Sequence, residues 1–201
     1  MDKVNQRFSN RFGSHWIKVK FYREKPKDDA KRLKDVRFCE ATREAILYPI
    51  LLDKESITCP GARHAFGWQP LFKNELLKGC RDKQGIKEGT LKSMISRAPY
   101  FKKPFKYIGL NTGGVPDMVL SYIPPREVMG LIKRYHNKEG GNLDVSLCTI
   151  MAVCGNVAVR TYLEEKISLS FGCEDSRKLA NMGREYVAVG VPRKLFNLFV
   201  D

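Results

Sequence analysis

The chain has 201 residues, of which 43% are hydrophobic and 29% are charged, and its formal net charge is +14. This composition supports a buried core, so it excludes a disordered chain and a small fold that depends on disulfides. The longest apolar runs fall far short of the roughly 18 to 20 residues of a membrane-spanning helix, and residues 1–10 lack the apolar region of a secretory signal. We therefore expect a cytoplasmic protein that does not associate with membranes.

Short apolar stretches bounded by glycine and proline alternate along the chain. Strands are predicted at residues 15–22, 108–110, 118–123, 143–151, 167–171 and 186–189. Helices are predicted at residues 40–52, where Pro49 limits the length, and at 60–67, 125–140, 156–165, 173–181 and 191–199. The pattern indicates a single domain over residues 1–201 of the α+β (mixed α/β) class, with a central sheet flanked by helices. Residues 72–106, the most polar and least patterned segment, are interpreted as an insertion or lid.

The positive charge is expected to attract polyanions. Within residues 100–107, aromatic residues alternate with Lys102, Lys103 and Lys106, as they would in a groove that stacks single-stranded nucleic acid. The same pattern suits a loop whose lysines face solvent while its aromatics pack inward. We favour the loop, because no recognised RNA-binding motif accompanies the segment.

Six cysteines are spread along the chain without a Cys-x-x-Cys pair, which argues against a zinc ribbon or a thioredoxin-like motif. They are Cys39, Cys59, Cys80, Cys148, Cys154 and Cys173. In a cytosolic protein such thiols are buried small residues, metal ligands or redox groups. Cys59, Cys154 and Cys173 each stand where a predicted helix begins, a position that favours the thiolate, which is the form that binds metal.

Several short motifs occur in a fixed order: Cys39-Glu-Ala, Cys59-Pro-Gly-Ala-Arg63, Cys154, Ser170-Phe-Gly-Cys173 with Arg177-Lys178, and Val189-Gly-Val-Pro192. In these motifs the chain resembles an uncharacterised cysteine-rich prokaryotic family, domain of unknown function one hundred and sixty-nine, which is frequent in archaea and anaerobes. The resemblance supplies no reaction. It implies that Cys39, Cys59, Cys154 and Cys173 occupy the family's motif positions, whereas Cys80 and Cys148 lie outside them.

Four cysteines match the ligand count of a zinc site and of a four-iron cluster. Structural zinc usually takes its ligands in close pairs, and an anaerobic family background favours iron, so we expect an iron–sulfur cluster on these cysteines, with zinc as the alternative. Buried structural cysteines would account for the same pattern.

Other candidate chemistry is sparse. Arg63, Arg177 and Lys178 are a weak candidate for anion binding near helix starts, although ion pairs with neighbouring acids explain them equally well. His64 could act near Cys59 as a ligand or an acid/base, or it could be structural. No hydrolase motif is present, so catalytic residues remain unknown and enzymatic activity is left open.

The leading hypothesis is a metal or iron–sulfur protein that serves electron transfer or assists a redox enzyme. Its expected partners are a redox protein or an anionic small molecule. The alternative is a basic nucleic-acid-binding protein, and a third hypothesis is a thiol enzyme with one cysteine as its nucleophile. The oligomeric state is left open.

Overall fold

A computed structural model of the protein describes residues 16–27, 29–70 and 85–199. Within these ranges the centre is a seven-stranded sheet with the order β2-β3-β4-β1-β5-β7-β6. The strands are β1 Ile17–Tyr22, β2 Lys31–Arg32, β3 Ile50–Leu52, β4 Tyr107–Leu110, β5 Met118–Ile123, β6 Ser168–Ser170 and β7 Val187–Pro192. β2 and β3 pair in parallel and the other neighbours are antiparallel, so the sheet is mixed.

Helices accompany the sheet and join its strands. The α-helices are α1 Phe38–Glu44, α2 Pro60–Ala65, α3 Glu88–Ser96, α4 Pro125–Glu139, α5 Arg160–Glu164 and α6 Glu174–Lys178, with a π-helix at Ala152–Val159 and a 3₁₀-helix at Arg193–Phe199. The predicted α+β class with a central sheet is therefore confirmed. Among the described helices, none has both the length and the apolar character needed to span a bilayer.

Strand β5, next to the central strand β1, is buried along its whole length and contributes side chains to two hydrophobic cores. Leu120 and Tyr122 belong to the core that also holds the π-helix, α1 and α2, while Val119 and Ile123 belong to the core beneath α4 and the 3₁₀-helix. Successive side chains of a strand point to opposite faces, which explains how one strand serves both cores. The cysteine-bearing elements thus lie on the first of these two faces.

The helix predicted at residues 40–52 is wrong in its second half. α1 ends at Glu44 and β3 occupies Ile50–Leu52. A short apolar run fits a buried strand as well as a helix, and Pro49 prevents the helix from continuing through it. The three β3 residues are fully buried between β2 and β4.

The strand predicted at residues 143–151 is also absent. Most of residues 141–149 are exposed and make no sheet pairing. A local sequence pattern does not show whether a neighbouring strand is available for pairing. The helix predicted at 156–165 begins earlier, at Ala152, as a π-helix. Of the predicted insertion or lid at 72–106, residues 72–84 lie outside the described ranges, and the remainder contains α3.

Candidate metal centre

Four cysteines from separate segments line one cavity of about 70 Å³. They are Cys39, Cys59, Cys154 and Cys173, all free thiols. The rest of the lining is mainly apolar and consists of Phe38, Gly61, Ala62, Ile150, Met151 and Val153, together with Arg37 and Asp175. Cys148 does not line this cavity, and Cys80 lies outside the described residues. The structure thus brings together the four cysteines that the family resemblance singled out.

A single backbone bridge explains how Cys39 and Cys59 meet. Val36 and Ile57 form a parallel β-bridge, so two segments run side by side in the same direction. Each segment then turns directly into a helix, with Cys39 as the second residue of α1 and Cys59 as the N-cap of α2. Pro60 suits the first position of α2 because proline lacks the N–H that would be unpaired there. Both cysteines therefore reach the cavity from adjacent helix starts.

Cys154 is the third residue of the π-helix rather than a residue before it, which corrects the predicted placement. The preceding Met151 has a left-handed backbone, with φ of +47°, and its side chain forms part of the cavity wall. Gly61 allows α2 to pack closely here, since a Cβ atom at that position would lie 2.8 Å from Cγ of Met151. Close packing of the π-helix on α2 places Cys154 beside Cys59.

Cys173 is the N-cap of α6, as predicted. Its N–H donates a hydrogen bond to Oγ of Ser176 at 2.8 Å, and the Ser176 hydroxyl donates to the Cys173 carbonyl at 2.9 Å. Gly172 just before it has φ of +86°, a conformation that glycine adopts without steric cost. The start of α6 therefore holds the Cys173 backbone firmly at the cavity.

The four thiols differ in burial. Cys39 and Cys154 are each 8% exposed, whereas Cys59 and Cys173 are only partly buried. Burial raises the pKa of the Cys39, Cys59 and Cys154 thiols above its ordinary value, and the neighbouring cysteines raise each of these pKa values further. Burial is the larger cause, and a raised pKa favours the neutral thiol at these three cysteines.

Backbone N–H groups oppose this rise in pKa. Each comes from the first turn of the cysteine's own helix: Glu40 for Cys39, Ala62 for Cys59 and Gly155 for Cys154. Hydrogen bonds of this kind stabilise a sulfur that carries negative charge, and they are one of the factors that set the potential of metal–thiolate centres.

An ion pair links the starts of α1 and α6 at the cavity. Arg37 Nη1 lies 2.7 Å from Asp175 Oδ2, and the two side chains are 27% and 37% exposed. Arg37 is the N-cap of α1, and its backbone N–H donates to Glu40 Oε2 at 2.7 Å. The pair therefore joins the helix that carries Cys39 to the helix that Cys173 caps.

Beneath the cavity, α1 is fixed to the sheet through buried hydroxyls. Thr42 donates to the Cys39 carbonyl at 2.8 Å and lies 2.7 Å from the Tyr122 hydroxyl. Because the threonine has one hydroxyl proton, Tyr122 is the donor in the second bond. Burial raises the pKa of Tyr122, so this donor keeps its proton at neutral pH. The Cys39 backbone is thereby held against β5.

The four thiols share one cavity, but as placed they do not form a metal-binding group. Among the described residues, no three histidine, cysteine, aspartate or glutamate side chains are grouped to hold a single metal ion. The cavity they line is several times larger than the ~10–15 Å³ that one water molecule needs. Its donor set of soft sulfur ligands suits zinc, copper(I) or an iron–sulfur cluster.

The candidate anion-binding residues do not line this cavity. The Arg177 guanidinium donates to the carbonyls of Met182 and Gly183 in the loop after α6, and Lys178 pairs with Glu174 at 2.6 Å on the same helix. Arg63 Nε is buried and has no hydrogen-bond partner among the described residues. An anion-binding role for Arg63, Arg177 and Lys178 stays a prediction.

His64 also lies away from the cysteine cavity. Its ring stacks on Tyr100, with centroids 5.1 Å apart and planes at 27°. Partial burial lowers the pKa of His64. In this position the ring contributes to packing between α2 and the segment that follows α3.

In the lysine-rich segment the aromatics pack inward. Phe101 and Phe105 are buried against Phe21 and Tyr162, whereas Lys102, Lys103 and Lys106 are exposed. This is the arrangement of a loop whose charged side faces solvent. Phe101 and Phe105 are therefore not available to stack nucleobases.

Arg37, Asp175 and Met151 are among the cavity residues that the sequence analysis missed. Arg37 and Asp175 each stand two positions from a motif cysteine, which is a signal that could have been used. Nothing in the sequence pairs them across 138 positions, however. The left-handed backbone of Met151 carries no sequence signal, because methionine is not a residue that favours it.

Comparison with known proteins agrees with the cysteine motifs. The family model DUF169, described as uncharacterised ArCR, matches residues 12–201 and so covers nearly the whole chain. Neither the curated proteins nor the solved structures contain a match. The family that the resemblance predicted is thus confirmed, and the chain belongs to the DUF169 family.

Proposed function

We propose that the protein is a cytoplasmic iron–sulfur protein whose cluster is bound by Cys39, Cys59, Cys154 and Cys173, and that it transfers electrons or assists a redox enzyme. One observation carries the proposal: four thiols from four segments line the same small cavity. Packing alone has no need to gather them, because buried cysteines serve as small apolar residues anywhere in a core.

We favour a cluster over a single zinc ion because of how the cysteines are spaced along the chain. Zinc holds sulfur at about 2.3 Å, so four ligands must converge on one point. The four cysteines come from separate segments and lack the close pairs in sequence that structural zinc usually takes. Among the described residues, no group of three histidine, cysteine, aspartate or glutamate side chains could hold a metal ion as placed. Four cysteines are also the ligand count of a four-iron cluster. Zinc remains the alternative that metal analysis would reveal.

The chain's own groups suit an electron-transfer centre. Cys39 and Cys154 are buried, whereas Cys59 and Cys173 are partly exposed. A bound cluster would accept and return one electron at a time. The buried cysteines would shield a bound cluster from water on one side. The partly exposed cysteines would place it near the surface, where a redox partner protein could approach.

The experiment is anaerobic purification followed by metal analysis and visible spectroscopy. The proposal expects brown protein with iron and acid-labile sulfide, and a broad absorption that bleaches with dithionite. Zinc in place of iron would support the alternative metal. Colourless protein that takes up neither metal after reconstitution would contradict the proposal.

A second candidate, a nucleic-acid-binding protein, is favoured by the exposed Lys102, Lys103 and Lys106 and the net charge of +14. These lysines could contact phosphates without base stacking. The two functions use different surfaces, so they can be tested separately.

A further inference from the structure

Two charged residues stand at a cavity that is otherwise lined by thiols and apolar groups. Of the described lining residues, Arg37 and Asp175 are the two that carry a charge. A cation and an anion beside a redox centre affect its electron affinity in opposite directions, because reduction adds negative charge.

Each charge is fixed to a cysteine-bearing helix start. Arg37 is the N-cap of α1, two residues before Cys39, and the Arg37 backbone N–H donates a hydrogen bond to the Glu40 carboxylate. Asp175 lies in the first turn of α6, two residues after Cys173. Each charged side chain therefore stands two residues from a cavity cysteine.

Arg37 Nη1 lies 2.7 Å from Asp175 Oδ2, although 138 positions separate the two residues along the chain. Both side chains are partly exposed, and an ion pair of this kind adds little to global stability. The neighbouring acid on α6, Glu174, pairs instead with Lys178 and does not line the cavity. The Arg37–Asp175 pair is thus distinguished by where it lies rather than by its strength.

We infer that the Arg37–Asp175 ion pair fixes the position of Cys173 relative to Cys39 and balances the charge beside the cluster. The pair thereby sets the cluster's reduction potential. This inference rests on the proposed function. In the measured step the cluster gains one electron from dithionite, which is oxidised to sulfite, and no bond to the protein forms or breaks.

The test uses the full chain, reconstituted anaerobically with iron and sulfide, and a redox titration followed by visible absorption and electron paramagnetic resonance. Arg37→Gln removes the cation and is expected to lower the midpoint potential. Asp175→Asn removes the anion and is expected to raise it. A purely structural effect would weaken cluster binding in both variants without this opposition of sign.

A swapped variant, Arg37→Asp with Asp175→Arg, preserves the contact and is expected to restore iron content if either single variant loads poorly. Glu88→Gln and Lys92→Gln are the matched controls, because that exposed ion pair lies on α3 and neither residue lines the cavity, so neither variant should shift the potential. The inference would be overturned if the Arg37 and Asp175 variants shift the potential in the same direction, or if neither shifts it. It would also be overturned if the swapped variant fails to restore iron content. In each case the wild type would still bind the cluster. A wild-type chain that binds no cluster would overturn the proposed function as well.

Discussion

Cys39 and Cys154 carry thiols that the folded apoprotein keeps protonated. Burial raises the pKa of each, and the neighbouring cysteines add to the effect. A metal cation reverses this preference, because it binds thiolate and releases the protons. Three of the four motif cysteines, Cys39, Cys59 and Cys154, are therefore residues whose thiol pKa the fold raises.

The raised pKa values predict how apoprotein stability changes with pH. Below the ordinary thiol pKa of about 8.5 these cysteines are neutral in both the folded and the unfolded state. Above it the unfolded chain ionises first, so the free energy of unfolding should fall as pH rises from about 8.5. Urea unfolding at several pH values measures this, and Cys39→Ala should make the fall shallower. An equally steep fall in that variant would contradict the assignment.

Removal of one ligand should affect stability mainly when metal is present. Cys39→Ala is expected to abolish cluster uptake and to remove the stabilisation that a native-state ligand adds. Cys148→Ala is the matched control, since Cys148 packs at the edge of the same core without lining the cavity; it should retain the cluster and cost about 1 kcal/mol. Melting temperatures with and without metal provide the comparison. Equal losses in both forms would mean that Cys39 is an ordinary core residue.

At the scale of elements, local signals predicted α2, β4, β5 and α4 well. Pro60 and Gly67 bracket α2, and glycine follows α4, so turn and cap chemistry reports the boundaries directly. The π-helix could not be predicted, because its eight residues are all buried and show no polar face. The meeting of Cys39 and Cys59 depends on the Val36–Ile57 bridge, a tertiary contact that no local pattern records.

The aromatic cluster of β1 and the lysine-rich segment should behave as core. Phe101 is 3% exposed, and its ring centroid lies 5.0 Å from that of Phe21. Phe101→Ala is therefore expected to cost about 3–5 kcal/mol in the free energy of unfolding. Tyr100→Ala, at a residue 42% exposed, should cost much less. Denaturant unfolding compares the two, and equal small losses would show that the aromatics are not packed as described.

At the scale of the whole molecule, the positive charge and the cysteine cavity are separate features. The net charge of +14 favours contact with anionic molecules in general. An acidic redox protein and nucleic acid are the two partners that we propose. The fold class and the family could be predicted from composition and ordered motifs. The ligand could not, because a set of four cysteines is shared by zinc and iron–sulfur centres.

If nucleic acid is a partner, its affinity should fall steeply with salt. Replacing Lys102, Lys103 and Lys106 together with glutamine should reduce the salt dependence by up to about three phosphate contacts. Fluorescence anisotropy with single-stranded oligonucleotides measures the slope, and the unchanged melting temperature of the variant serves as the control. No binding at ~50 mM salt would remove this candidate function.

X-ray absorption at the iron edge of the anaerobically reconstituted protein tests the central claim most directly. The account predicts a first shell of sulfur with iron neighbours beyond it, and loss of this signal in Cys39→Ser, Cys59→Ser, Cys154→Ser and Cys173→Ser but not in Cys148→Ser. A shell of oxygen or nitrogen without iron neighbours, or a spectrum that the four substitutions leave unchanged, would contradict it.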